Sequence, residues 1–152
     1  MPTVLLLNGP NFNLLGCRES ELSCKSILKD LEGQVSSRLS ERKIKCSAYQ
    51  SDSEEELIEW LHKRRDADFL LLNPGDLAHT SVGLRDSVLA TEIPFLEIHL
   101  SNVHQIEEFR FRSYFSDFAI GSLVGLGVKG YLLATQFAAD YLEQKTISAS
   151  FK

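Results

Sequence analysis

The sequence predicts an α/β fold, a doubly wound sheet of five parallel strands with helices on both faces. Short apolar runs alternate with segments whose apolar residues recur at helical spacing, as in successive βα units. The run 69–72 is apolar throughout, which is typical of a strand covered on both faces. Polar residues follow three of the runs. The ends of parallel strands share one rim, where such folds bind ligands.

The first half contributes two strands and two helices. Residues 5–8 predict a strand, followed by a long polar loop from Gly9 to Cys24. A helix is then indicated by the apolar spacing of Ile27, Leu28, Leu31, Val35 and Leu39. Partial period-two alternation makes 44–50 the second strand. The second helix starts after the capping residues 51–53 and has Leu57, Trp60 and Leu61 as its inner stripe.

The second half contributes three strands and two helices. After strand 69–72, Thr80 or Ser81 caps a helix that carries Val82, Leu84, Val88 and Leu89. Strand 95–98, a helical turn at 105–109 and strand 119–124 follow. The last helix carries Tyr131, Ala134, Phe137, Ala138 and Tyr141. With five strands we expect a flavodoxin-like, three-layer α/β/α arrangement in which the first and third strands are neighbours at the switch point.

Composition sets limits on the class of protein. The 152 residues suit one domain, residues 1–152. A net charge of −5 argues against nucleic-acid binding. No apolar stretch approaches the ~18 residues of a membrane span, and the N-terminus reads as the first strand and not as a signal peptide. Three cysteines without metal-type pairing favour reduced thiols and a cytoplasmic location.

Glu97 and His99 form the most informative pair. At i and i+2 of an extended strand, both side chains project to the same face. A carboxylate beside an imidazole fixes its tautomer and favours its protonated form, as a general acid requires. A buried ion pair used only for packing is the alternative. A metal site is disfavoured, because no further Cys, His or Asp falls at ligand spacing.

Other polar residues allow two interpretations each. His79 lies beyond strand 69–72 with Asn73 and Thr80 nearby, and either orients ligand hydroxyls or ties down its loop. Arg110 and Arg112 either polarise a ligand oxygen or lie idle in solvent.

The G-x-G-x-x-G pattern at 125–130 lacks the acidic strand that a dinucleotide site needs, since the chain ends after one helix. Its glycines are better explained by a tight turn and close helix packing.

Several motifs together resemble the type II 3-dehydroquinate dehydratases, also called type II dehydroquinases. They lie at 8–16, 79–86, 97–104, 107–110, 113–114 and 125–133 and span nearly the whole chain. The resemblance implies a flavodoxin-like subunit assembled as a dodecamer of trimers, with neither metal nor organic cofactor. It implies dehydration of 3-dehydroquinate to 3-dehydroshikimate, in the shikimate pathway (aromatic amino acid biosynthesis) or in quinate metabolism. A tyrosinate removes the proton, and a histidine protonates the departing hydroxyl.

The resemblance also implies residue roles. His99 would be the general acid, oriented by Glu97, while Asn11 would hold a water that stabilises the enolate and Arg18 would be the loop arginine. The substrate is a small molecule, and Asn73, His79 and Arg110 would bind its hydroxyls. The backbone of Leu100 and Ser101 would bind its carboxylate, and Asp86 would reach the site of a neighbouring subunit.

This chain departs from the family pattern where the base is expected. Ser23 stands at the position of the catalytic tyrosine, and Ile106 stands where many members carry an arginine. A serine hydroxyl is a poor base beside a tyrosine, whose ordinary pKa is ~10. Two hypotheses follow. The first is a lyase that has reduced activity or uses a substitute base such as Tyr49 or Cys24. The second is a silent paralogue that binds a quinate-like acid or partners a competent enzyme. Asp76 is a further departure that adds negative charge.

Overall fold

The computed structural model describes residues 1–14 and 21–150, with only the helical backbone for 21–26. The described residues form one sheet of five strands: β1 Thr3–Asn8, β2 Lys45–Gln50, β3 Phe69–Asn73, β4 Phe95–His99 and β5 Gly121–Val124. All pairings are parallel and the order is β2-β1-β3-β4-β5. The α/β fold class and the adjacency of the first and third strands are confirmed.

Four α-helices and four short 3₁₀ turns accompany the sheet in the described residues. The helices are α1 Glu21–Glu41, α2 Glu54–His62, α3 Val82–Thr91 and α4 Val128–Ser150. The 3₁₀ turns are Phe12–Leu14, Gly75–Ala78, Val103–Gln105 and Glu108–Arg110. No helix among residues 1–14 and 21–150 is long and apolar enough to cross a membrane.

Three local predictions were wrong. The loop was predicted to reach Cys24, but α1 already includes Glu21, so Ser23 lies within a helix; the residues at 21–26 are compatible with helical backbone. The single turn predicted at 105–109 is two 3₁₀ turns flanking Ile106 and Glu107. Val82 and Leu89 on α3 are exposed, so its inner stripe is narrower than predicted.

The core forms two layers, because successive strand residues point to opposite faces of the sheet. Val4 and Leu6 of β1 pack with α1 and α4, whereas Leu5 and Leu7 pack with α2 and α3. Every residue of β3 is buried. Because helices cover both faces of the sheet, a ligand can reach it only at the ends of the strands.

The start of α3 and the turn after β5 follow the predicted signals. Ser81 and not Thr80 caps α3: its side chain accepts a hydrogen bond from the Leu84 amide at 2.9 Å. Gly125 has φ +81°, and a Cβ there would lie 2.9 Å from the Cβ of Asn102. The glycines after β5 therefore serve a tight turn, as predicted.

Candidate active site

A cavity of about 190 Å³ opens at the carboxyl ends of β3 and β4. By this measure one water molecule needs roughly 10–15 Å³, so the cavity has room for a small molecule. The lining combines amide, imidazole, guanidinium and carboxylate groups with a few apolar side chains. The lining residues are Asn73, Gly75, Asp76, Ala78, His79, His99, Leu100, Ser101, Val103, Ile106 and Arg110.

Glu97 and His99 meet at this cavity. His99 Nε2 lies 2.9 Å from Glu97 Oε1, and the side chains are 11% and 1% exposed, respectively. Ser113 donates to Glu97 Oε2 at 2.9 Å, and Ser116 donates to both carboxylate oxygens at 2.9 and 3.0 Å. The carboxylate is thus fixed by three side chains, and it holds the imidazole that borders the cavity.

Asn73 is held in place from behind the cavity. Its Nδ2 donates to the Tyr131 hydroxyl at 2.8 Å, which in turn donates to Asn8 Oδ1 at 2.6 Å. Asn73 Oδ1 accepts from the Gly75 amide at 3.0 Å, where Gly75 has φ +59° and a Cβ would lie 3.0 Å from the Pro10 carbonyl oxygen. The loops after β1 and β3 are therefore in close contact under the cavity.

The opposite side of the cavity carries charged groups. Arg110 NH1 donates to Asp76 Oδ1 at 2.5 Å, and its Nε donates to Glu107 Oε2 at 2.9 Å. The His79 ring meets the edge of Phe109, with centroids 5.1 Å apart. This rim is far more exposed than the Glu97 side: the side chain of Asp76 is 50% exposed and that of Arg110 is 29% exposed.

The structure brings together most of the predicted site residues. The cavity is lined by Asn73, His79, His99, Leu100, Ser101 and Arg110, with Glu97 directly behind His99. Asn11 has φ +67° and its amide donates to Asp52 at 2.9 Å, and it does not border the cavity. Asp86 is exposed on α3, also away from the lining. Arg18 and the side chain of Ser23 lie outside the described residues.

All four tyrosines of the chain lie in described segments, and none lines the cavity. Tyr49 stacks on Trp60 with ring centroids 5.4 Å apart, and Tyr141 packs on Phe69. Tyr131 is fully buried, and burial raises the pKa of its phenol far above the ordinary value. Tyr114 packs against the α2–α3 side of the core. Within one protomer, Tyr49 therefore lies away from the cavity.

Ser116 and the Asp76–Arg110 contact were missed by sequence reasoning. Ser116 lies 19 residues beyond Glu97 in the chain, and no local pattern connects them. Asp76 was noted only as an unusual charge. Among the described side chains, those of residues 1–14 and 27–150, no group of three or more His, Cys, Asp or Glu is placed to hold a metal ion.

The chain is similar to known proteins over most of its length. The model of a family described as "Dehydroquinase class II" matches residues 2–139. The chain belongs to the class II dehydroquinase family. Its relatives include a 3-dehydroquinate dehydratase of Haemophilus influenzae (strain PittGG), 49% identical over 143 residues, covering 93% of this chain and 96% of the relative. Another from Pasteurella multocida is 49% identical over 142 residues, with coverages of 93% and 96%.

Solved dehydroquinases share the fold. The type II dehydroquinase from Propionibacterium acnes superposes with a TM-score of 0.81 at 32% identity, covering 92% of this chain and 99% of that one. The type II dehydroquinase from Butyrivibrio crossotus gives 0.78 at 30% identity, with coverages of 90% and 97%.

Proposed function

We propose that this protein is a hydro-lyase that converts 3-dehydroquinate to 3-dehydroshikimate, in the shikimate pathway or in quinate breakdown. The observation that carries the proposal is the Glu97–His99 pair at the wall of a small polar cavity. Glu97 forms a hydrogen bond with Nε2 of the His99 imidazole, which leaves Nδ1 for proton exchange with a ligand. Family membership and the names of the relatives point to the same reaction.

The proposed chemistry divides between two sides of the substrate. On one side a base removes the proton next to the ketone, and the electron pair moves into an enolate. On the other side His99 protonates the leaving hydroxyl as its C–O bond breaks, so that water and an enone result. The assay is the appearance of enone absorbance with purified protein and 3-dehydroquinate. A rate no greater than that of heat-inactivated protein contradicts the proposed activity.

The remaining roles are proposals of the same kind. Asn73, His79 and Arg110 bind substrate hydroxyls, and the backbone of Leu100 and Ser101 binds the carboxylate. Asn11 holds a water, and Arg18 acts beside the reacting face. Asn11 and Asp86 lie off the cavity of one subunit. Asp86 therefore requires a neighbouring subunit to contribute to a site.

Assembly into trimers and then a dodecamer is part of this proposal. Exposed apolar side chains on α3 and α4, among them Leu89, Leu133 and Phe137, provide contact surface. Light scattering that gives a stable monomer at micromolar concentration contradicts it. A cytoplasmic location is proposed with it, and subcellular fractionation checks that.

A second function is favoured by one specific observation: no tyrosine of this chain lines the cavity, and Ile106 does. Under this alternative the protein is a silent paralogue that binds a quinate-like acid without turnover or partners a competent enzyme. Calorimetry with quinate discriminates the two. Binding together with a rate equal to the heat-inactivated control favours the silent paralogue, whereas binding with turnover favours the lyase.

A further inference from the structure

Asp76 gives the cavity a feature that neither the family assignment nor the proposed reaction explains. It lies in the 3₁₀ turn directly after β3 and lines the cavity beside Arg110. Its Oδ1 accepts a hydrogen bond from Arg110 NH1 at 2.5 Å. The side chain that is placed to bind a ligand oxygen is therefore already bound to a carboxylate of its own chain.

Glu107 adds a second carboxylate to the same guanidinium. It accepts from Arg110 Nε at 2.9 Å, so two of the five N–H donors of Arg110 are used inside the protein. The pKa of Glu107 is lowered, first by a hydrogen bond from its own backbone amide and then by Arg110, so it is ionised at neutral pH. One positive charge thus faces two carboxylates at this rim, and the rim does not attract anions.

The two carboxylates differ in where they lie. Asp76 borders the cavity, whereas Glu107 is exposed and does not. A ligand oxygen that binds Arg110 in the cavity therefore lies close to the Asp76 carboxylate as well. It must either displace that carboxylate from NH1 or lie beside it, and for an anionic oxygen both options are unfavourable.

We propose that Asp76 is a specificity-determining residue: it competes with ligands for Arg110 and makes the cavity reject a negative charge on that side. The inference rests on the proposed function and narrows its substrate class. The preferred ligand is a ring with neutral hydroxyls toward Arg110 and one carboxylate on the far side, at Leu100 and Ser101. A second carboxylate or a phosphate toward Arg110 is excluded.

The test is titration calorimetry of the wild type and Asp76→Asn, with quinate and separately with inorganic phosphate. Asparagine keeps the size of the side chain and removes its charge. Because the pair is partly exposed, we expect an affinity gain of about three- to fivefold for phosphate, decreasing at high salt, and a smaller gain for quinate, whose neutral hydroxyls face Arg110. An equal gain for the two ligands would contradict a role of Asp76 in specificity.

Two further variants complete the design. Glu108→Gln removes an equal charge from an exposed neighbour outside the cavity lining, and it should leave both affinities unchanged. In an Arg110→Met background, Asp76→Asn should bring a smaller gain for phosphate, because it then removes only the repulsion by the carboxylate and frees no guanidinium.

The outcomes separate this inference from the proposed function. If phosphate binds more tightly to Asp76→Asn but quinate binds to neither protein, the ring-acid function fails and the role of Asp76 stands. If phosphate binds no better to Asp76→Asn, or improves as much with Glu108→Gln, the role of Asp76 is overturned whatever quinate does.

Discussion

The two sides of the cavity are built differently. On one side, Glu97 is buried and fixed by His99, Ser113 and Ser116. On the other, Arg110 is half-buried and bound to two carboxylates of its own chain. No tyrosine of the chain lines the cavity. The residues that we propose as the acid are therefore held in place by the fold, whereas the arginine that we propose to bind substrate hydroxyls is occupied by contacts within the chain.

The largest effect is expected from restoring the expected catalytic base. Ser23→Tyr with Ile106→Arg supplies a phenol and a cation that favours its ionised form. General-base catalysis is typically worth about 10²–10⁴-fold, so the dehydration rate should rise by that order. The assay is enone formation from 3-dehydroquinate.

Ser23→Phe with Ile106→Arg is the matched control, because it adds the ring without the hydroxyl. An equal rate in both double variants would show that the missing phenol does not limit the reaction. The difference between the Glu97 and Arg110 sides of the cavity would then not explain the rate.

Removal of the acid should give the next largest effect. His99→Asn, in the wild type or in the restored double variant, should lower kcat about 100-fold or more. His62→Asn, on the exposed end of α2, is the control and should leave the rate unchanged. Retention of the rate by His99→Asn would remove His99 from the chemistry.

Removing the serine hydrogen bonds that hold the Glu97 carboxylate should have a smaller effect on kcat. Ser113→Ala with Ser116→Ala removes two hydrogen-bond donors from buried Glu97, and donors to charged groups contribute about 1.5–3 kcal/mol each. We expect kcat to fall roughly tenfold, with a shifted pH–rate profile and little change in KM. Ser122→Ala, an exposed residue opposite Glu97 on β5, is the control. A change in stability alone, with an unaltered pH profile, would make the serines merely structural.

The smallest effect is expected far from the cavity. Arg42 binds Asp140 and Glu143 of α4 at 2.5–2.7 Å and lowers the pKa of both carboxyls. A lowered folded-state pKa stabilises the fold above the ordinary carboxyl pKa, and this contribution is lost as pH falls through the lowered value. Arg42→Met should therefore melt about 1–3 °C lower at pH 7, with the difference vanishing in acid. Arg38→Met is the control, and a difference that persists at pH 2 contradicts the assignment.

The sequence predicts the two sides of the site unequally, for physical reasons. Side chains two residues apart on a strand share one face, so the sequence alone places Glu97 beside His99. The positions of the strand ends predict which loops meet. Ser116 reaches Glu97 only through a tertiary contact. The contact of Asp76 with Arg110 and the position of Tyr49 away from the cavity likewise depend on packing between distant segments. The start of α1 at Glu21 was missed because residues 17–24 lack an apolar period.

We propose that one cavity binds a cyclic hydroxy acid between His99 and the Arg110 rim, and every proposed role depends on this binding. The most direct test is an NMR titration of the histidine imidazole signals with quinate. His79 and His99 line the cavity, whereas His62 lies on α2 and serves as the internal reference. We predict saturable shifts of His79 and His99 with an unmoved His62. Unchanged signals from His79 and His99, or equal movement of all three, would contradict the account.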